Sequence, residues 1–324
     1  MKFALIGNGN IAPQYIQAFQ DLSTDFIVCS RSKPHNFPYP HTTDFMSPEV
    51  LSCDYICIAT PPHLHYEMAN YYLNLGKRVI LEKPGVTTAD ELEVLKNHPQ
   101  RGNLYLAYHS AFNPLIEKVL STFPIHDLTE VEVNYAEDVF FYHPDKSGWL
   151  FNKHLSGGGC LADSGINILS ILYRFLPKLT FVEGELVKRQ LEVEDALNLT
   201  MTTKSGIRVK ITMDWLSNTE ERKFTFRGRD KLVFDLATNK VYLNGDEVDS
   251  KNETERVDQY AEYRNMLADA LQFFENKSRL IFQPALPLSS VLDIYRQIKT
   301  KVHQKEEPAH LLGIESFLSF ATAE

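Results

Sequence analysis

The residues most able to do chemistry sit in GGGCLADSGIN, residues 157–167, where Asp163 and Asn167 are four apart at the head of the apolar run ILSILYRFL. In a helix that spacing puts both side chains on one face, within reach of one ligand. A carboxylate can accept a proton at neutral pH, whereas an amide can only hold a hydroxyl. Lys83, in LEKPG at residues 81–85, ends a strand pattern. A lysine at such a terminus beside a cofactor can orient a substrate hydroxyl, or take its proton if burial lowers its pKa.

A third group binds rather than reacts. GNGNIA, Gly7 to Ala12, follows the opening strand and precedes a helix. It fits G-x-G-x-x-G/A: Gly7 permits the tight turn, Gly9 lets backbone approach a pyrophosphate, and Ala12 allows close helix packing. The helix N-terminus then holds the anion. An NAD site usually places an acid about twenty residues further on for the ribose hydroxyls. Here the second strand ends Ser30-Arg31-Ser32, with a guanidinium able to grip a 2′-phosphate in bidentate fashion. NADP is therefore favoured over NAD.

Parallel strands and crossover helices must position these groups. KFALI (2–6), DFIVCS (25–30), YICIAT (55–60), RVILEK (78–83) and NLYLAY (103–108) read as strands. A helix over 64–75 stops at Gly76, and Thr88 to Glu91 reads as a capping box. Beyond about residue 125 a long strand (128–137) and one apolar helix (162–176) precede six closely spaced strands, from LTFVEGELVKR to KVYL. That is the texture of an α+β half with an antiparallel sheet. Helices near 259–275 and 287–302 close the chain. The expected division is 1–113, a dinucleotide-binding doubly wound sheet, and 114–324, a substrate and dimerisation domain whose last helices pack back on the first.

Length and composition agree. At 324 residues the chain suggests two domains, and its 44% hydrophobic content supplies ample core. A charge of −9 argues against a nucleic-acid surface. No window approaches the apolar run of a membrane span, and MKFALIGNG reads as a strand, not a signal. Cys29, Cys53, Cys57 and Cys160 lack disulfide or zinc spacing, which fits free thiols in a reducing cytoplasm. No His/Cys/carboxylate cluster has metal-ligand spacing.

The combination of GNGNIA, IATPPHLHYEMANYYLNLGKRVILEKP, GGGCLADSGIN and VEDALNLTM resembles the glucose-fructose oxidoreductase, inositol dehydrogenase and rhizopine-catabolism (Gfo/Idh/MocA) oxidoreductases across nearly the whole chain. The resemblance implies a Rossmann domain and a second domain whose large open, mostly antiparallel sheet often forms a homodimer interface. It implies hydride transfer between nicotinamide and a sugar or polyol carbon, with Lys83 and Asp163 matching the catalytic lysine and aspartate. It brings Asn10, Ile11, Ala59, Thr60, Pro61, His65 and Glu82 to the cofactor with Gly7, Gly9, Ser30 and Arg31.

The family usually writes D-x-G-x-H, with the histidine as proton acceptor; this chain has Asn167. Either the enzyme is dead, or another residue is the base, or the substrate needs less help. DSGINILSI, EDVFFYHPDKSGW and YHSAFNP favour the last two, being similar to a branch of aldose 1-dehydrogenases for L-arabinose and D-galactose that carries this asparagine. An anomeric hydroxyl is more acidic than an ordinary secondary alcohol, so a carboxylate or lysine suffices as base. The resemblance implies that Asp163 receives the O1 proton, Lys83 orients O1 and Asn167 holds the sugar, although the base could be either of the first two. It nominates Glu137, His143, Trp149 and Trp215 as further sugar contacts. Two alternatives stand: oxidation at another carbon of a sugar, inositol or nucleotide-sugar, and a non-catalytic NAD(P)-sensing regulator.

Overall fold

In the computed structural model, residues 1–33, 35–123, 127–145, 148–250, 259–276, 285–298 and 301–302 are described. The first sheet contains β1 (Lys2–Ile6), β2 (Asp25–Cys29), β3 (His41–Thr42), β4 (Tyr55–Ile58), β5 (Arg78–Glu82) and β6 (Leu104–Ala107). Their order is β3-β2-β1-β4-β5-β6 and every pairing is parallel. Helices cover both faces, so β4 (YICI) is buried at every position. This is the doubly wound order, with its switch point between β1 and β4. Two-residue β3 is too short to leave a sequence pattern. The Thr88–Glu91 capping box closes as expected, Thr88 N–H donating to Glu91 at 3.1 Å and Glu91 N–H to Thr88 Oγ1 at 3.3 Å.

The second sheet holds β7 (Glu130–Asp138), β8 (Leu179–Lys188), β9 (Ala196–Thr203), β10 (Arg208–Asp214), β11 (Leu216–Arg227), β12 (Lys231–Asp235), β13 (Lys240–Leu243), β14 (Asp246–Ser250) and β15 (Lys301–Val302). The order is β14-β13-β12-β11-β7-β10-β9-β8-β15, antiparallel except for β7–β10 and β8–β15. In central β7 the two-residue period places Val131, Val133, Tyr135 and Glu137 on the buried face. The same period that builds the core thus carries a carboxylate inward. Phe175 of the Ile166–Phe175 helix packs on Phe226 at 4.9 Å and Phe234 at 5.8 Å, closing that face.

Three sequence expectations change. The last helix spans Leu286–Gln297 rather than 287–302, and Lys301–Val302 form an edge strand instead; residues 299–300 and everything after 302 lie outside the described residues. The apolar helix does not begin as a regular α-helix, because Leu161–Gly165 forms a π turn ahead of Ile166. One stretch, Lys153–Phe175, does pass a membrane test of length and hydropathy. Its most apolar window is 78% buried inside the protein, so it is core helix. The Gln259–Phe274 helix returns to the first sheet's layer, where Tyr263 meets Tyr15 edge-on at 5.0 Å.

Candidate active site

A cleft of about 1030 Å³ opens along the carboxyl edge of the first sheet and is lined by both halves of the chain. That is the upper end of the roughly 300–1,000 Å³ range of small-molecule sites, room for a cofactor and a small substrate. A second hollow of about 700 Å³ lies on the open sheet among Lys223, Asp235, Lys240 and Tyr242, away from every motif.

At one end, Gly7 has φ +115° and donates its N–H to Cys29 O at 2.8 Å. A Cβ there would lie 2.3 Å from the Ala59 carbonyl oxygen, so only glycine fits. Beside Gly9, by contrast, a Cβ would meet nothing within 4 Å. The Ala12–Asp21 helix has no side-chain cap and no acid in its first turn. Pro13 carries no N–H, and those of Ala12 and Gln14 donate to Gly9 O at 3.1 Å and Ile11 O at 3.2 Å, so the positive end of the helix dipole, behind the glycine turn, is what suits a dinucleotide pyrophosphate. Asn10, Ile11, Ala59, Thr60 and Pro61 line this end. Ser30 and exposed Arg31 line its far corner. Ser30 Oγ donates to Ser32 O at 3.0 Å and lies 2.9 Å from His41 Nε2.

At the other end, Lys83 Nζ donates to Asp163 Oδ1 at 2.5 Å and to the Asp163 carbonyl at 3.2 Å. Burial alone would raise the Asp163 carboxyl, but the Lys83 ammonium and its hydrogen bond hold it below the usual aspartate value. The glycines upstream place this turn. Gly159 lies so close to the Glu194 backbone that a Cβ would sit 2.0 Å from its carbonyl oxygen. Gly159 N–H also donates to the Glu194 carboxylate at 2.8 Å, and Tyr295 donates to the same oxygen.

Asn167 lines the same cleft, and its Oδ1 is buried without a hydrogen-bond partner. Such an acceptor costs about 1–3 kcal/mol unless something donates to it. Glu137, 7% exposed, accepts from Ser164 Oγ at 2.7 Å and from Arg222 at 3.3 Å. Burial raises its carboxyl, with Arg222 and Ser164 opposing. His143 and Trp149 line the mouth; burial lowers His143.

Two expected contacts are corrected. Trp215 is 0% exposed and does not line the cleft; its Nε1 donates to Ser164 Oγ at 2.9 Å. It props the residue that bonds Glu137, because the end of β10 turns its ring into the core. His65 is also buried off the cleft wall, its ring nitrogens 2.8 Å from Pro84 O and 2.7 Å from Thr60 O, so that the neutral ring donates to one of these carbonyls. Burial pushes its pKa down to about 4 against those carbonyls. It ties the cofactor turn to the lysine strand. Glu82 does line the cleft, but both oxygens are occupied, by Tyr15 OH at 2.9 Å and Lys83 N–H at 3.1 Å.

A family model described as an oxidoreductase family with an NAD-binding Rossmann fold matches residues 1–109, and the GFO/IDH/MocA C-terminal domain matches residues 125–233. The chain belongs to the GFO/IDH/MocA oxidoreductase family. Among relatives of this family, a galactose 1-dehydrogenase of Pseudomonas fluorescens is 28% identical over 192 residues, 57% of this chain and 60% of that protein. An NADP+-dependent scyllo-inositol 2-dehydrogenase of Bacillus subtilis (strain 168) is 29% identical over 153 residues, 45% of this chain and 42% of that protein. The matched region therefore spans less than two thirds of either relative's length. The crystal structure of a D-galactose 1-dehydrogenase from Rhizobium etli superposes with TM-score 0.75 at 24% identity, covering 93% of this chain and 96% of that one, a likeness of fold.

Several cleft residues escaped the sequence reading: Tyr135, Arg222, His109, Glu262 and Tyr263. Arg222 and Glu262 come from distant elements and carry no local motif. His109 had a usable signal, since it follows β6 at the edge that singled out Lys83.

Proposed function

We propose that this chain oxidises the anomeric carbon of a free aldose, of the D-galactose or L-arabinose class, to the lactone, with NADP preferred over NAD. The observation that carries this reading is the Lys83–Asp163 pair sharing one cleft with the glycine turn and with the unpartnered Asn167 carbonyl. When bound, the nicotinamide accepts hydride from the sugar carbon. Lys83 orients O1 and stabilises its developing charge, and Asp163 receives the O1 proton as it leaves. Asn167 Oδ1 accepts from a sugar hydroxyl, which ends its isolation. Glu137, held by Ser164 and Arg222, and the ring of Trp149 at the mouth bind the rest of the pyranose. Arg31 and Ser30, with no acid beside them on the cleft wall, support the 2′-phosphate.

We further propose two domains divided near residue 113, a homodimer through the open sheet, and action in a reducing cytoplasm, in keeping with four buried free cysteines. The similarity to an inositol dehydrogenase favours a second reading, oxidation at another ring carbon. Reduction of NADP+ and of NAD+ should be measured separately across free aldoses and inositols. Aldose-dependent NADPH and a lactone product support the first reading. NADPH from inositols alone supports the second, and cofactor binding without turnover leaves only a regulator.

A further inference from the structure

The proton leaving O1 needs a place to end. Asn167 cannot take it, and Asp163 is a weak terminal acceptor while Lys83 stabilises its charged form. Three histidines line the cleft. His63 is exposed on a short 3₁₀ turn, and His143 has no bonded carboxylate among the described residues. His109 differs from both. Its Nδ1 lies 2.6 Å from Glu262 Oε2, while Asn113 Nδ2 donates to the other oxygen of Glu262 at 2.6 Å. The ring stacks on Tyr263 at 4.8 Å and 14°. His109 and Glu262 are each 7% exposed and Asn113 1%.

A carboxylate on Nδ1 fixes the ring proton there and leaves the Nε2 lone pair free. Nε2 has no protein partner among the described residues. The β5–β6 register ends with Glu82 beside Ala107, so Lys83 and His109 follow adjacent strands within two residues of that last pair, and both line the cleft. The ring therefore lines the cleft at the sheet edge that carries the reacting lysine.

Resting on the dehydrogenase reading above, we infer that His109, oriented by Glu262, is the terminal acceptor of the substrate proton. The O1–H bond breaks as Asp163 takes the proton, that carboxyl O–H bond breaks in turn as an N–H bond forms at Nε2, and the Glu262 carboxylate stabilises the resulting imidazolium. Deprotonation to solvent through the cleft mouth resets the ring.

His109→Asn tests this, because an asparagine amide keeps a bond to Glu262 but cannot take a proton. With NADP+ and D-galactose, kcat should fall on the order of 100-fold. The NADP+ Kd, read by fluorescence titration, should not move, and added imidazole should restore turnover. In the cofactor-free wild type, ¹⁵N NMR should find the His109 proton on Nδ1, and Glu262→Gln should loosen that preference. An unchanged kcat, a kcat loss matched by weaker NADP+ binding and no rescue, or a proton on Nε2 would each overturn the inference. If the wild type oxidises no sugar, the dehydrogenase reading itself fails; an active wild type with an equally active His109→Asn variant sinks only the role of His109.

Discussion

The two ends of the cleft are built in opposite ways. The cofactor end comes from consecutive pieces of one parallel sheet: the turn after β1, the Ser30–Arg31 corner after β2 and the Ala59–Pro61 loop after β4. Backbone geometry dominates there, as Gly7 and the uncapped helix show. The hydroxyl end is assembled from afar, with Lys83 meeting Asp163 across 80 positions and Glu137 meeting Arg222 across 85. Charge pairing dominates there. A short motif can therefore announce the first end, but the second exists only once the chain has folded.

Breaking the hydroxyl end should have the largest effect. Lys83→Ala should lower kcat by roughly 10²–10⁴-fold, the usual scale for losing a group that handles the transferred proton, while NADP+ still binds. Asp163→Asn should do the same, checked by single-turnover rates and cofactor titration. Equal loss of cofactor binding would erase the distinction between the ends.

The joint between the ends should respond to pH. His65 lies between the Thr60 and Pro84 carbonyls, at 2.7 and 2.8 Å, and donates to one of them when neutral. Its pKa falls from 6.5 to about 4 on folding, so the unfolded chain binds the extra proton first. Its contribution is present above pH 6.5 and is lost as pH falls toward 4. The fall is at most about 3 kcal/mol at ~1.36 kcal/mol per unit. Urea unfolding between those pH values should show that slope in the wild type and a flatter one in His65→Asn.

Breaking the cofactor corner should cost less. Arg31→Ala should remove a charge-assisted contact worth about 1.5–3 kcal/mol, raising KM for NADP+ by at least about tenfold and leaving KM for NAD+ unchanged. The two tryptophans give the finest test. Trp149→Phe keeps an aromatic ring at the mouth and should leave stability within about 0.5 kcal/mol of wild type. Trp215→Phe removes the donor to Ser164 Oγ, which keeps its bond to Glu137, and leaves unfilled core space, so it should lower stability by about 1–3 kcal/mol, measurable by denaturant unfolding.

Much of the fold was legible for a physical reason. Fully buried parallel strands such as YICI and RVILE leave unbroken apolar runs, and the capping box at Thr88 is a local exchange of two hydrogen bonds. β14, acidic DEVDS at the sheet edge, shows no apolar alternation and was invisible. Asp163 and Asn167 both line the cleft, but the π turn at Leu161–Gly165 was not foreseeable from their spacing. Trp215 misled because residue type does not say whether a large ring faces a cleft or a core. Glu262 was missed because nothing beside it in sequence hints at His109, 153 positions away.

The most direct measurement is product analysis of the wild-type protein given NADP+ and either D-galactose or L-arabinose labelled with deuterium at C1. The expected result is deuterated NADPH, a lactone, and a rate slowed by the label. NADPH formed without deuterium would place the reacting hydrogen on another carbon and contradict oxidation at the anomeric centre.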